Sequence, residues 1–287
     1  MEISRTALGT PYREDDRIVL LAQFISEYYT SPNIEIEVKI GTFFLNSSTQ
    51  QISHISEINM QNIPGRFESS LQPLMFFSLL ELLKITCPNF IFFETEDSLY
   101  TCSDRNSKIR QTIGQNNEII AIIKKTRIAD KNFLINSHGS GIRISANIEE
   151  GIDKIPEESK FYVLRKKKRY SFRHLYLVID LTEVSMNNKV FYEAEIEIVD
   201  FPFVKTHANN FLLGLDKGGL IGIARKIWQN SLALSYHKPK AMVVRVSENL
   251  ELMEDRERVY KKFIGSDFPL IGDYLFCIAK ELENVEP

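Results

Sequence analysis

The alternation of apolar and polar positions divides the chain into three stretches. Near its start Ile18, Leu21, Ala22 and Ile25 recur at helical spacing, which predicts a helix over residues 15–29. Ser31-Pro32-Asn33 then punctuates, and residues 34–44 read as a strand. A second helix is predicted over 72–85, with Leu74, Phe77, Leu80 and Leu83 on or near one face. From residue 89 to residue 198 the texture changes to short β-branched runs. Strands are predicted over 90–94, 99–102, 108–113, 118–127, 141–149, 162–172, 176–184 and 190–198, with turns at Asn116-Asn117, Gly139-Ser140-Gly141 and Asn187-Asn188. Links this short favour an antiparallel sheet closed into a barrel over βαβ units. After residue 199 the pattern is helical again, over 218–234 and over 259–282, the latter broken near Gly265 and Pro269. The expected organisation is an N-terminal segment with a helix over 1–32 and one β-domain with C-terminal helical elements over 33–287. Residues 200–260 carry no assignment.

The strands are distinguished by where their charges sit. In Ile34-Glu35-Ile36-Glu37-Val38-Lys39-Ile40 aliphatic and charged positions alternate, so Glu35, Glu37 and Lys39 share one face. Glu193, Glu195 and Glu197 repeat the design against Ala194, Ile196 and Ile198. Arg143, Ser145, Asn147 and Glu149 alternate against Ile142, Ile144, Ala146 and Ile148, and Asp180 and Thr182 against Ile179 and Leu181. An ordinary sheet with one wet face is the plain explanation of any single such strand. Three carboxylates at i, i+2 and i+4 repel one another, however, and solvated faces usually mix signs.

The basic counterpart is also concentrated, in Arg165-Lys166-Lys167-Lys168-Arg169, with Arg110 and Arg127 on other strands. Its flanks, Tyr162-Val163-Leu164 and Tyr170-Ser171-Phe172, make the run a strand rather than a solvated patch. Alternate members then face inward: Arg165, Lys167 and Arg169, or Lys166 and Lys168. Strands closed with these faces inward enclose an acidic floor and a basic wall. Carboxylates supply hard oxygen ligands for Mg²⁺ or Mn²⁺, and Lys and Arg hold phosphoryl oxygens, so the cavity suits a divalent cation on a polyphosphate.

Composition changes this picture little. The 287 residues are 44% hydrophobic and 25% charged, and the formal charge is only −3, so any electropositive site is made locally. Cys87, Cys102 and Cys277 have no metal-ligand spacing and read as reduced thiols. The five histidines show no ligand motif, and P-loop, nucleophile-elbow and CxxC signatures are absent. No apolar run reaches membrane-spanning length, and MEISRTALGT lacks the apolar core of a secretory signal.

The paired strands Glu35-Ile36-Glu37-Val38-Lys39 and Glu193-Ala194-Glu195-Ile196-Glu197 resemble the two metal-binding motifs of the triphosphate tunnel metalloenzymes. Lys125-Thr126-Arg127-Ile128-Ala129-Asp130, Arg143-Ile144-Ser145, the basic strand, and Ile179-Asp180-Leu181-Thr182-Glu183-Val184 look like the strands of the fungal-type mRNA 5′-triphosphatases, in their order, over roughly residues 33–198. The resemblance implies an α+β, mainly β fold: an eight-stranded antiparallel tunnel with flanking helices. It implies hydrolysis of the γ-phosphate of triphosphate-ended RNA, the first step of mRNA capping, with Mg²⁺ or Mn²⁺. Residue by residue, Glu35, Glu37 and Glu197 match the metal ligands, and Arg110, Lys167 and Arg169 the γ-phosphate contacts. Glu149 matches the residue that positions water, Asp180 and Glu195 those that hold metal-bound waters, and Thr182 and Glu193 positions sensitive to change. Val178 stands where some relatives carry Arg, with Lys125 or Arg127 as the compensating phosphate contact. Implied partners are 5′-triphosphate RNA, a capping guanylyltransferase, the RNA polymerase II C-terminal domain and a second copy of the chain, in the nucleus. The alternatives are an inorganic triphosphate or polyphosphate hydrolase of the same tunnel class, and a non-catalytic module that reads RNA ends or phosphopeptides.

Overall fold

In a computed structural model, residues 15–45, 55–60, 65–87, 89–104, 106–135, 140–199, 201–216 and 218–237 are described. The chain runs α1 (Arg17–Tyr28), β1 (Ile34–Leu45), β2 (Ser56–Glu57), β3 (Gly65–Glu68), α2 (Pro73–Thr86), β4 (Phe90–Thr101), β5 (Ser107–Ile113) and β6 (Ile119–Leu134). It continues through β7 (Ser140–Gly151), β8 (Phe161–His174), β9 (Leu177–Met186), β10 (Lys189–Ile198), α3 (Phe201–Leu212) and α4 (Gly219–Ser235). Neighbouring strands follow the order β10-β9-β8-β4-β5-β6-β7-β1, and β1 pairs back onto β10. Eight antiparallel strands thus close into a ring, with β2 beside β6 and β3 beside β1 as short additions.

The expected barrel is borne out, with local corrections. Residues 90–94 and 99–102 belong to one strand, β4, because the polar Glu94–Ser98 stretch that looked like a break stays paired with β5 or β8 throughout. β6 runs on to Leu134, past a bulge between Arg127 and Ala129. The unassigned segment 200–260 contains α3 and continues α4 to Ser235. The helix expected over 259–282 lies outside the described residues.

Where helices pack on it, the barrel is apolar outside, while its lumen is lined with charged and polar side chains. Ile34, Ile36, Val38 and Ile40 on β1, and Ile142, Ile144 and Ala146 on β7, point outward and are buried. α4 packs on β1 and β7 with α1 alongside, contributing buried Ile223, Ile227 and Trp228 from α4 and Leu21, Ala22 and Ile25 from α1. Each Val, Leu or Ile side chain so removed from water stabilises by about 1.5–3 kcal/mol. The Trp228 ring meets Phe133 at 4.9 Å, and its Nε1 donates to Asp15 Oδ2 at 2.7 Å. α2 covers β10, where the Phe76 and Tyr192 rings meet tilted, 4.8 Å between centres. Because helices cover the apolar wall, the charged wall is left to the lumen.

Turn chemistry fixes the register. β9 and β10 are joined by Asn187 and Asn188 at φ 51° and 59°, a two-residue turn whose twist matches the strands, with Met186 opposite Lys189. This places Glu193 opposite Thr182 and Glu195 opposite Asp180.

Candidate active site in the lumen

Backbone alternation delivers side chains from all eight ring strands to one lumen. On β8 it selects Arg165, Lys167 and Arg169: Lys166 and Lys168 point outward to Glu96 at 3.3 Å and Glu183 at 3.7 Å, their side chains 69% and 54% exposed. Of the two parities open in the sequence, the odd one faces in.

At the seam of the ring Glu37 lies opposite both Glu197 on β10 and Ser145 on β7. Lys125 Nζ on β6 sits among the acids, bonded to Glu35 Oε2, 3.1 Å from Glu37 Oε2 and 3.4 Å from Glu149 Oε1. Asn147 Nδ2 donates to Glu35 Oε2 at 2.9 Å and to Glu37 Oε1 at 3.2 Å. Lys39 Nζ meets Glu195 Oε1 at 2.5 Å and Glu37 Oε2 at 3.5 Å.

The opposite wall is basic. Lys167 Nζ pairs with Asp97 Oδ2, whose other oxygen accepts from Thr112 Oγ1 at 2.8 Å. Arg169 Nη1 reaches Asp180 Oδ2 at 3.0 Å, Ser171 Oγ donates to Asp180 Oδ1 at 2.6 Å, and the Arg169 guanidinium lies 5.7 Å from the Phe93 ring centre. Arg110 Nη2 stands 3.5 Å from Glu149 Oε1. Arg165 Nη2 bonds both Glu193 oxygens, at 2.8 and 2.9 Å, which gives Glu193 a bracing contact.

The protonation pattern follows from burial and crowding. Burial, then Glu37, pushes Glu35 up to about 7. Burial, then Glu35, Asp180 and Glu149, pushes Glu197 up to about 8. Burial also raises Asp180, despite the opposing pull of Arg169. For Glu37 burial is outweighed by Lys39 and Lys125, and for Glu195 by Lys39 and Arg169, so both are held below the usual carboxylate range. Burial, with Arg169 and Arg165, pulls Lys167 down to about 8 against the attraction of Asp97.

Among the described residues no three carboxylate, imidazole or thiol groups stand close enough together to hold a metal ion as they are. Lys125 supplies the positive charge between Glu35, Glu37 and Glu149. The donor chemistry nevertheless fits a divalent cation. Burial and neighbouring carboxylates raise Glu35 and Glu197, and the buried Asn147 Oδ1, Thr182 Oγ1 and Arg169 Nε have no hydrogen-bond partner among the described residues. Oxygen donors on one side and an unsatisfied guanidinium N–H on the other suit a cation bound to an oxyanion.

The lumen therefore brings together Glu35, Glu37, Glu149, Glu195, Glu197, Asp180, Arg110, Lys167, Arg169 and Lys125. Arg127 is exposed and pairs with Asp130 at 3.4 Å, at the edge of this constellation rather than in it. Opposite Val178 stands Arg173, which is exposed near the end of β8. Asp97, Thr112 and Asn147 were missed as site residues. Asn147 was visible in the β7 alternation, whereas Asp97 lies in a run polar on both faces, where alternation gives no signal.

The model of the family described as mRNA capping enzyme, beta chain, matches residues 19–210. The chain is 26% identical over 233 residues to the mRNA-capping enzyme subunit beta of Schizosaccharomyces pombe, covering 70% of this chain and 75% of that protein. It is 30% identical over 200 residues to the subunit of the same name from Cryptococcus neoformans, covering 59% of this chain and 49% of that protein. Among solved structures, S. pombe Pct1 RNA triphosphatase in complex with the Spt5 CTD superposes with a TM-score of 0.71 at 22% identity, covering 80% of this chain and 98% of that one.

Proposed function

This chain belongs to the mRNA capping enzyme β-chain family, and we propose that it is an RNA 5′-triphosphatase that removes the γ-phosphate of triphosphate-ended RNA in capping. The observation that carries this reading is the facing of the two walls: Glu35, Glu37 and Glu197 on β1 and β10, Arg110, Lys167 and Arg169 on β5 and β8.

In this reading Arg110, Lys167 and Arg169 hold the γ-phosphoryl oxygens, two as rigid guanidinium forks and one as a point charge. Asp97 orients Lys167, and Asp180 orients Arg169. Glu149, beside Arg110, positions water in line with the scissile bond. That water need not be fully deprotonated, because phosphoryl transfer depends on positioning and charge stabilisation. Glu35, Glu37 and Glu197 would hold the divalent cation, Mg²⁺ or Mn²⁺, which when bound neutralises charge on the phosphate oxygens. Asp180 and Glu195 act from the neighbouring positions, and Glu195 also holds Lys39 in place. We place the enzyme in the nucleus as a homodimer, with a capping guanylyltransferase and the RNA polymerase II C-terminal domain as partners. The Spt5 CTD bound to the S. pombe relative supports a partner of that kind.

The test is phosphate release from γ-labelled triphosphate-ended RNA, ATP and tripolyphosphate, each with Mg²⁺, Mn²⁺ or chelator. Triphosphate-ended RNA should lose one phosphate, leave a diphosphate end, and compete against ATP hydrolysis far better than monophosphate-ended RNA. Preference for tripolyphosphate by orders of magnitude, with the RNA end neither cleaved nor inhibitory, would instead make the chain an inorganic triphosphatase.

A further inference from the structure

The lumen opens at one rim into a cavity of about 570 Å³, bounded by β4, β8 and the turn from β5 into β6. Arg110, Lys167 and Arg169, from the lumen, are part of its lining. A terminal phosphate held by these three therefore leaves the rest of its molecule free to occupy this space. The size is in the range of small-molecule sites.

Its walls do not suit more phosphate. Apart from these three cations, the described lining is neutral or acidic. Phe93 supplies a ring face and Ile120 an aliphatic one, Thr95 and Thr112 supply hydroxyls, and Gln115 and Asn116 supply amides. Glu94 and Glu118 stand at the turn side, Glu94 Oε2 3.4 Å from Gln115 Nε2 and Glu118 Oε2 accepting from the Asn116 backbone N–H at 2.9 Å. Two carboxylates there disfavour a further phosphate beyond the three that a triphosphate end carries. An uncharged base and sugar meet no such penalty. A base finds a stacking surface, hydroxyls and amides for its edge, and carboxylate acceptors for an exocyclic amino group.

We propose that this cavity is the subsite for the first nucleoside of the substrate, and that Phe93, Gln115 and Ile120 make the enzyme prefer a nucleoside 5′-triphosphate end over inorganic tripolyphosphate. The inference rests on the triphosphatase reading and specifies the substrate class of the same site. Ile120 is largely exposed on the rim, so Ile120→Asp should fold. It adds a third carboxylate and removes an apolar face.

The experiment measures KM for ATP, for a triphosphate-ended dinucleotide and for tripolyphosphate in the unmodified chain, Ile120→Asp and Gln115→Ala. It also measures equilibrium dialysis of β,γ-imido-ATP with tripolyphosphate as competitor. The nucleoside-bearing KM values should rise about tenfold relative to that for tripolyphosphate, with the same loss in imido-ATP binding. KM values that move together for all three substrates, or not at all, overturn the subsite. If the unmodified chain releases phosphate from none of them, the triphosphatase reading fails instead. The dialysis then still decides the cavity, because loss of imido-ATP binding confined to the rim variants supports it and unchanged binding refutes it.

Discussion

Glu37 and Glu197 are direct cross-strand partners at the seam where β1 and β10 close the ring. Like charges in that relationship destabilise a sheet. Here Lys125 and Lys39 offset the Glu37 charge, while Glu197 takes a proton up to about pH 8. The seam is thus held by protons and lysines, and a divalent cation could replace them.

A pH dependence of stability follows for the metal-free chain. Unfolded, Glu35 and Glu197 lose their protons near 4.5; folded, they keep them to about 7 and about 8. Between those limits the folded state binds more protons, so their contribution is fully present below about pH 4.5 and is lost as pH rises through about 8. Thermal melts in chelator should show Tm falling across this window, and Glu197→Gln should flatten the slope. Glu37 and Glu195, held low by lysine, act oppositely and only in acid. A Tm independent of pH between about 5 and 9 would contradict the crowding described.

Neutralising the carboxylates proposed to hold the metal should separate stability from activity. Glu35→Gln, Glu37→Gln and Glu197→Gln should each lower turnover by about 10²-fold or more, with the fold intact by circular dichroism. Mg²⁺ or Mn²⁺ should raise the Tm of the unmodified chain and do so less in each variant. Near-normal turnover in two of the three removes the assignment.

Parity on β8 gives a sharper contrast. Lys167→Ala and Arg169→Ala should abolish phosphate release, while Lys166→Ala and Lys168→Ala, which lose only exposed pairs, should alter stability by less than about 1 kcal/mol and turnover little. The reverse pattern would mean a strand register displaced by one residue.

Asp97 is the buried partner of Lys167. Asp97→Ala leaves that ammonium buried and unpaired, so it should cost about 3–5 kcal/mol in denaturant unfolding. Asp97→Asn should cost less but still weaken phosphate release at neutral pH, because Lys167, already pulled down to about 8, loses its counter-charge. An Asn variant with unchanged turnover and an unchanged pH profile would show Asp97 to be structural only.

Legibility in the sequence tracked how cleanly each strand alternates. β1, β7, β9 and β10 carry aliphatic residues on one face and polar residues on the other, so Glu35, Glu37, Asp180, Glu195 and Glu197 could be placed from spacing. β4 is polar on both faces from Glu94 to Ser98, so it read as two strands and hid Asp97. Family resemblance named Lys167 and Arg169; alternation alone left two parities, and only pairing with β4 and β9 decides between them. The position of Lys125 among three carboxylates depends on β6 meeting β7 while β7 meets β1, a three-strand relation with no local signal. α3 buries only Val204 and Ala208 among its described residues, too sparse a stripe for the periodicity to register, although Phe201 and Phe203 stack on Tyr29 and Tyr176.

Lys39 and Glu195, in contact across the seam, are 156 residues apart in the chain. On the ribosome β1 is therefore made long before the strand that completes its outer edge, and through that interval it presents unpaired backbone groups beside a run of isoleucine and valine. Such an edge invites pairing with other nascent chains. Alternating Glu35, Glu37 and Lys39 along that edge suit a second purpose, since charges on a strand awaiting its neighbour discourage the wrong one. The carboxylates proposed to work in the finished lumen would also act during synthesis as gatekeepers against aggregation.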